Sequence, residues 1–146
     1  MKAKRSPEIS VVTVVLNDLV GLTKTIKSIQ EQIGISLEHL IVDGGSTDGS
    51  AILAELNSDV PIESRPDGGI YNAMQRGLDL ATGRYVIFTN AGDSLFGISF
   101  LAKAVRLLEA SESQWGFGPL IEESTRGSDI WTPVDGEISI SKVRVI

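Results

Sequence analysis

The 146-residue chain contains no cysteine, and its hydrophobic residues form no run long enough to cross a bilayer. The absence of cysteine excludes disulfide bonds and thiolate metal ligands, and it leaves the redox compartment open. A membrane-spanning helix needs roughly 20 mostly apolar residues. Residues 1–10 also lack the apolar centre of a secretory signal peptide. We therefore expect a soluble cytoplasmic domain.

Positive charge is also scarce, since 13 Lys and Arg residues face 19 Asp and Glu residues and the net charge is -6. Nucleic-acid binding requires clustered Lys and Arg, and here these residues are scattered, so we expect no nucleic-acid partner. The short basic cluster of Lys2, Lys4 and Arg5 is interpreted as a solvated tail, although beside a membrane it would add weak attraction to anionic lipid. Residues 1–8 are predicted to form a flexible tail.

The composition itself, 42% hydrophobic and 22% charged, is typical of one globular domain with a sizeable core. Hydrophobic periodicity predicts strands at residues 9–16, 37–42, 60–63 and 85–89, and helices at 19–33, 47–56, 70–81 and 100–108. Alternating strands and helices favour a parallel α/β sheet with right-handed connections. Further along, residues 114–120 are predicted to be extended, and 130–133 and 138–146 to be strands.

The most informative stretch is HLIVDGGSTDGS, residues 39–50. A buried strand runs into Asp43 and is stopped by two glycines, and Ser46, Thr47 and Asp48 are predicted to cap the next helix. A carboxylate at the carboxyl end of a strand, beside a helix amino terminus, lies where open α/β sheets bind ligands. Asp43 is therefore a candidate site residue. The alternative is an acid that only begins a turn.

The segments VDGGSTDGS and PDGGIYNAMQRGLDLATGRYVIFTNAGD together resemble the inverting family 2 glycosyltransferases, and most of all the bacterial exopolysaccharide enzymes of the colanic-acid type. The resemblance covers about residues 9–120. It implies an α/β fold of the GT-A class, in which a Rossmann-like sheet flanked by helices holds a nucleotide-sugar donor. It also implies a divalent cation on the donor diphosphate. The nucleotide-sugar-binding domain is accordingly predicted to span residues 9–122.

The resemblance implies a role for individual residues. Asp43 would hold the nucleoside, Asn17 would lie beside the base, and Asp67 would lie near the nucleotide or simply begin a turn. Asn90 would face the donor, and Asp93 would bind the metal. Mg²⁺ or Mn²⁺ suits such a site, because these hard ions bind through one or two carboxylates plus substrate phosphates. We expect Asp43 and Asp93 to project into one shared crevice.

The chain also departs from the family pattern. Asp93 is a lone acid beside Asn90 and Gly92, so we expect weak metal binding without donor. Met74 stands where many relatives carry a base-contacting Arg, which leaves both UDP- and GDP-sugars open as donors. Arg65 and Arg76 could reach a phosphate of the donor, but they are interpreted as solvated surface charges.

The family's catalytic base lies well downstream of the metal motif, so we assign no catalytic residue and expect the base beyond the end of this chain. Residues 123–146 are interpreted as the truncated start of an acceptor-side region, which leaves the fold incomplete on its C-terminal side. The acceptor implied by the resemblance is a glycan or a lipid-linked molecule, used in exopolysaccharide or cell-surface polysaccharide synthesis. Peripheral association with the inner face of the membrane is compatible with such an acceptor.

Two other interpretations stay open. The first is a catalytically silent module that binds or assembles around a nucleotide sugar and lacks the acceptor half. The second is a phosphoacceptor receiver domain, which needs an acidic pair after the first strand and a Lys after the last. Asn17 and Asp18 supply only half of that pair.

Overall fold

Three parallel strands form the centre of the molecule. A computed structural model describes residues 6–112, 115–116, 120–124, 127–131 and 140–141. Strands β1 (Ile9–Val15), β2 (Leu37–Asp43) and β3 (Tyr85–Asn90) pair in the order β2-β1-β3. Val15 lies opposite Asp43, and Val14 opposite Asn90. The carboxyl ends of all three strands therefore meet at one edge, as the predicted parallel arrangement requires.

Helices cover both faces of this sheet, and they are α1 (Leu19–Gln30), α2 (Ser50–Asn57), α3 (Ile70–Leu80) and α4 (Phe100–Ala110). Helices α1 and α4 pack on the face that carries Val11, and α3 packs on the face that carries Val12 and Leu40. Strand β1 is buried along its whole length, which explains its nearly unbroken β-branched sequence. Burying a side chain such as Leu40 stabilises the fold by about 2 kcal/mol.

The strand predicted at residues 60–63 is wrong, because this segment has no regular secondary structure. It follows the outer edge of β2, where the Asp59 amide donates to the His39 carbonyl at 2.8 Å. Pro61 has no N–H with which to continue a ladder of hydrogen bonds. Side chains replace the ladder instead, since the Ile41 amide donates to Ser58 Oγ at 3.1 Å.

Helix α1 is shorter than predicted, because it ends at Gln30 and not at residue 33. Beyond its end, the Ile33 amide donates to the Ile98 carbonyl at 2.8 Å and so ties the chain to a distant loop. None of the helices in the described residues combines the length and the apolar composition that crossing a bilayer requires.

The C-terminal part contains two antiparallel pairs of strands. Strand β4 (Trp115–Gly116) pairs with β7 (Ile140–Ser141), and β5 (Leu120–Ser124) pairs with β6 (Gly127–Trp131). The extended residues predicted at 114–120, 130–133 and 138–146 coincide with these strands in part, and their other residues lie outside the described ones. The β5–β6 hairpin was not anticipated from the sequence. The predicted domain limits at residues 8 and 122 stay predictions.

Candidate functional site

A cleft of about 340 Å³ opens at the carboxyl edge of the sheet. It lies between the ends of β1 and β3, the loop after β2 and the beginning of α3, and its lining includes Leu16, Asp18, Gly44, Asp67, Ile70 and Asn90. This is the edge at which open α/β sheets bind their ligands. Two of the predicted site residues, Asp67 and Asn90, therefore line one opening.

Asp67 is held in this cleft by a largely buried ion pair. Its Oδ2 lies 3.8 Å from Arg76 Nη1, and the two side chains are 9% and 13% exposed. Asp67 Oδ1 accepts a hydrogen bond from the Gly69 amide at 3.0 Å, and Arg76 also donates to the Glu63 carbonyl. The interpretation of Arg76 as a solvated charge is therefore wrong, since helix α3 turns this side chain inward toward Asp67.

Asp43 lies under the neighbouring loop, with a side chain only 1% exposed. Its Oδ2 accepts hydrogen bonds from the amides of Gly45 and Ser46, both at 2.8 Å, and from Ser64 Oγ. Its Oδ1 is buried without a hydrogen-bond partner among the described residues. Contrary to our expectation, the carboxylate does not line the cleft, because it turns inward to organise its own loop.

Several forces act on the Asp43 carboxyl. Burial raises its pKa, but the hydrogen bonds from Ser46, Ser64 and Gly45 together outweigh burial and hold the pKa below its ordinary value. The carboxylate is therefore ionised at neutral pH. An ionised acceptor of this kind binds a hydrogen-bond donor more strongly than a neutral one does.

Asn17 connects the loops that follow β1 and β2. It adopts a left-handed backbone conformation with φ 52°, and its Oδ1 accepts from the Thr47 amide at 2.8 Å. Its own amide donates to Ser46 Oγ at 2.8 Å. Ser46 and Thr47 are thus engaged away from the helix that they were predicted to cap. Only Asp48 bonds to that helix, where it accepts from the Ser50 amide at 2.9 Å, and α2 begins three residues later than predicted.

Asp93 lies in the turn that follows β3 and is exposed to solvent, but like Asp43 it does not line the cleft. The prediction that Asp43 and Asp93 share one crevice is therefore wrong. Its Oδ2 accepts hydrogen bonds from the Asn90 amide at 2.7 Å and from Asn90 Nδ2 at 3.2 Å. No cluster of three or more His, Asp or Glu side chains suited to a metal occurs among the described residues. One exposed carboxylate fits a hard divalent cation that takes its other ligands from phosphate oxygens and water.

Asp18 also lines the cleft, although it was not predicted as a site residue. Its Oδ1 accepts from the Gly21 amide at 2.8 Å and caps helix α1. Its Oδ2 lies 3.7 Å from the place where a Cβ on Gly92 would stand, next to the turn that carries Asp93. The available signal was an acid just after the first strand, which we considered only as half of the acidic pair of a receiver domain.

Comparison with known proteins agrees with this geometry. Residues 10–128 match the family described as glycosyl transferase family 2. The chain belongs to glycosyltransferase family 2. This confirms the family that the VDGGSTDGS and NAGD segments predicted.

Two relatives illustrate this glycosyltransferase family. An uncharacterized glycosyltransferase of Mycobacterium tuberculosis is 37% identical over 121 residues, which cover 77% of this chain and 45% of the relative. A PGL/p-HBAD biosynthesis glycosyltransferase of Mycobacterium bovis is 35% identical over 126 residues, which cover 82% and 49%. The chain therefore spans about half the length of the curated relatives it matches.

A solved structure shows the same fold. The mannosyltransferase PcManGT from Pyrobaculum calidifontis, in complex with GDP-Man and Mn²⁺, superposes with a TM-score of 0.67 at 24% identity. The match covers 82% of this chain and 37% of that protein. The predicted GT-A fold of this family 2 glycosyltransferase is thereby confirmed.

Proposed function

We propose that this chain is the donor-binding part of an inverting glycosyltransferase that uses a UDP- or GDP-sugar. The acceptor in this proposal is a glycan or a lipid-linked molecule of exopolysaccharide or cell-surface polysaccharide synthesis, made by an enzyme of the colanic-acid type. The observation that carries the proposal is the cleft at the carboxyl edge of the sheet, where Asp18, Asp67 and Asn90 surround one opening. Family membership supports the same activity.

The nucleoside is assigned to the loops that carry Asn17, Asp43 and Asp67, of which Asp67 lines the cleft. Asp43 Oδ1 is a buried acceptor without a partner among the described residues, and a base imide or a ribose hydroxyl would satisfy it. Leaving such an atom unpaired destabilises the loop by about 1–3 kcal/mol. Asp43 is only 1% exposed, and Ser64 covers it while donating to its other oxygen. We therefore expect the segment that carries Ser64 to move aside when the nucleoside binds.

The cation is assigned to Asp93 together with the donor diphosphate, with Mg²⁺ or Mn²⁺ as the ion. A bound divalent cation would neutralise the negative charge that gathers on the departing nucleoside diphosphate. Asn90 orients the carboxylate by donating twice to its Oδ2, which leaves Oδ1 without a partner among the described residues. The complex of the mannosyltransferase from Pyrobaculum calidifontis with GDP-Man and Mn²⁺ supports this assignment.

In the transfer step, an acceptor hydroxyl attacks the anomeric carbon from the face opposite the nucleotide. The new glycosidic bond forms as the bond to the diphosphate breaks, so the configuration inverts. A general base takes the proton of the hydroxyl. None of the described residues is assigned that role.

The test measures the binding of UDP- and GDP-sugars by calorimetry, with Mn²⁺ and with EDTA. We expect tight binding only with Mn²⁺, and we expect Asp93→Ala to abolish this dependence while the protein stays folded. Asp79→Ala is the matched control, because Asp79 is also an exposed acid, but it lies on α3, where it accepts from Gln75, and not in the turn after β3. Unchanged affinity of Asp93→Ala in Mn²⁺ would reject the cation assignment.

A second measurement separates the enzyme from a silent binding module. Slow release of free sugar from the donor, with water in place of the acceptor, indicates a competent transfer centre. Binding without any release indicates the module. A thermal-shift screen identifies the base first, because a ligand at 100 times its dissociation constant stabilises a protein by about 2.7 kcal/mol.

A further inference from the structure

Helix α1 and the turn after it carry a polar seam, which consists of Thr25, Ser28 and Gln32. These residues are spaced three and four apart, so they lie on one side of the helix. All three bond to the backbone of the segment that follows β3. Ser28 Oγ accepts from the Leu95 amide at 3.3 Å, and Gln32 Nε2 donates to the Gly97 carbonyl at 2.9 Å.

Thr25 is the member of the seam that reaches the Asn90–Asp93 turn. Its side chain is 1% exposed. Its Oγ1 accepts a hydrogen bond from the Gly92 amide at 3.0 Å and lies 2.7 Å from the Asp93 carbonyl oxygen. The Asn90 carbonyl is farther, at 3.3 Å. Because a hydroxyl has a single hydrogen, it donates to the Asp93 carbonyl, and one side chain thereby bridges two groups of the turn.

A threonine within a helix often donates to the carbonyl four residues before it, which would give Thr25 a purely local role. That carbonyl belongs to Gly21 and lies 3.1 Å away, compared with 2.7 Å for Asp93. The Gly92 amide also needs an acceptor, whichever carbonyl the hydroxyl donates to. The contacts therefore favour a role for Thr25 in holding the turn.

We propose that Thr25 is a positioning residue for Asp93. Its hydroxyl fixes the backbone of the turn, and the turn holds the Asp93 carboxylate where the cation and the donor diphosphate meet. This inference rests on the cation-binding role of Asp93 proposed above. Replacing a residue that orients a metal ligand without touching the metal typically lowers metal affinity by about 10–100-fold.

The experiment compares Thr25→Val, which removes the hydroxyl, with Thr25→Ser, which keeps it. Thr13→Val is the matched control, because Thr13 is also a fully buried threonine but lies on β1 of the central sheet. Its hydroxyl bonds to His39 and Thr89, both at 2.8 Å, and not to the turn. Each variant is titrated with Mn²⁺ in the presence of GDP or UDP, whichever the wild type binds. The nucleotide affinity in EDTA is measured alongside.

We expect Thr25→Val to raise the Mn²⁺ concentration for half-maximal nucleotide binding by about 10-fold or more. Its nucleotide affinity in EDTA should stay at the wild-type value, and Thr25→Ser should restore the Mn²⁺ response. Thr13→Val should lower the melting temperature and leave the Mn²⁺ response unchanged. If Thr25→Val fails to fold, Thr25→Ala replaces it, since it removes the same hydroxyl without placing a methyl group against the Asp93 carbonyl.

The proposal is overturned if Thr25→Val responds to Mn²⁺ like Thr13→Val, if Thr25→Ser behaves like Thr25→Val, or if the affinity in EDTA falls equally. Asp93→Asn in the same titration separates the two proposals. If Asp93→Asn keeps the wild-type Mn²⁺ response, the cation assignment is wrong. If Asp93→Asn loses this response while Thr25→Val keeps it, only the role of Thr25 is wrong.

Discussion

The loop after β2 and the turn after β3 occupy equivalent places on either side of β1, and each carries an aspartate. Asp43 in the first is 1% exposed, whereas Asp93 in the second is exposed to solvent. The acid at a strand end is thus an internal part of the loop in one case and available to a ligand in the other. The position of an acid at the end of a strand therefore does not determine whether its side chain is buried or exposed.

The difference follows from what encloses each acid. The loop after β2 wraps over Asp43 and turns two amides toward it, and Ser64 closes the far side. The turn after β3 spans only residues 90–93, which is too short to surround a side chain. Thr25 bonds only to the backbone of this turn, so the Asp93 side chain stays exposed to solvent.

Replacing each acid in turn is expected to have the largest effect. Asp43→Ala should lower the free energy of unfolding by about 4 kcal/mol, because three hydrogen bonds to a charged acceptor are lost and two loop amides are left unpaired. Asp93→Ala should lower it by about 1 kcal/mol, because its bonds are exposed. Urea denaturation followed by circular dichroism measures both. Equal losses of stability in the two variants would show that Asp43 and Asp93 are enclosed to the same degree.

The next prediction concerns a buried polar chain in the sheet that carries both regions. Thr13 on β1 contacts His39 on β2 and Thr89 on β3, each at 2.8 Å, so a polar chain crosses the sheet beneath both regions. Burial lowers the pKa of His39 from 6.5 to about 4, and the nearby Asp59 only partly opposes this. The unfolded state therefore binds a proton that the folded state does not bind between these two pKa values.

Stability should fall by about 3 kcal/mol as the pH drops from 6.5 to about 4, and this contribution levels off below the folded pKa. His39→Gln should remove most of that slope, and His39 is the single histidine of the chain. Unfolding titrations across this pH range, with fluorescent probes at each loop, measure the effect. A wild-type slope in His39→Gln would contradict the assignment of this pH dependence to His39.

The last prediction compares one glycine from each region. Gly45 has φ 93°, and a Cβ there would lie 2.8 Å from the Pro66 nitrogen, so Gly45→Ala should cost about 3 kcal/mol through strain and backbone collision. Gly92 has φ 97°, but its nearest neighbour would be Asp18 Oδ2 at 3.7 Å, so Gly92→Ala should cost about 1 kcal/mol. Denaturation midpoints measure the difference. A larger loss at Gly92 would show that the turn after β3 is the more enclosed region.

Much of the fold was predictable because local patterns determine it. The β-branched run of β1 and the helical spacing of α3 each agree with the structure to within one residue. The errors occur where distant groups compete for the same atoms. Ser46 and Thr47 have side chains that can cap a helix, but both bond to Asn17 instead. Asn17 is about 30 residues away, and a sequence pattern does not show that it lies beside them.

The candidate site shows the same division. Asp43 was identified from its place at the end of a strand, and the resemblance to the family supplied the others, which are Asn17, Asp67, Asn90 and Asp93. The roles of all five stay predictions. Arg76 was misjudged, because its spacing on α3 does not reveal that Asp67 lies within 3.8 Å. Asp18 was passed over, because only the folded turn places Gly92 beside it.

Periodicity and motifs that are contiguous along the chain were enough to predict the three strands of the central sheet, its parallel arrangement, the four helices and the family. The tertiary structure alone decided which aspartate faces solvent and which hydroxyl supports the turn after β3. Burial and hydrogen bonding depend on groups that are far apart in the chain. Thr25 and Asp93, for example, meet only when α1 packs against the sheet.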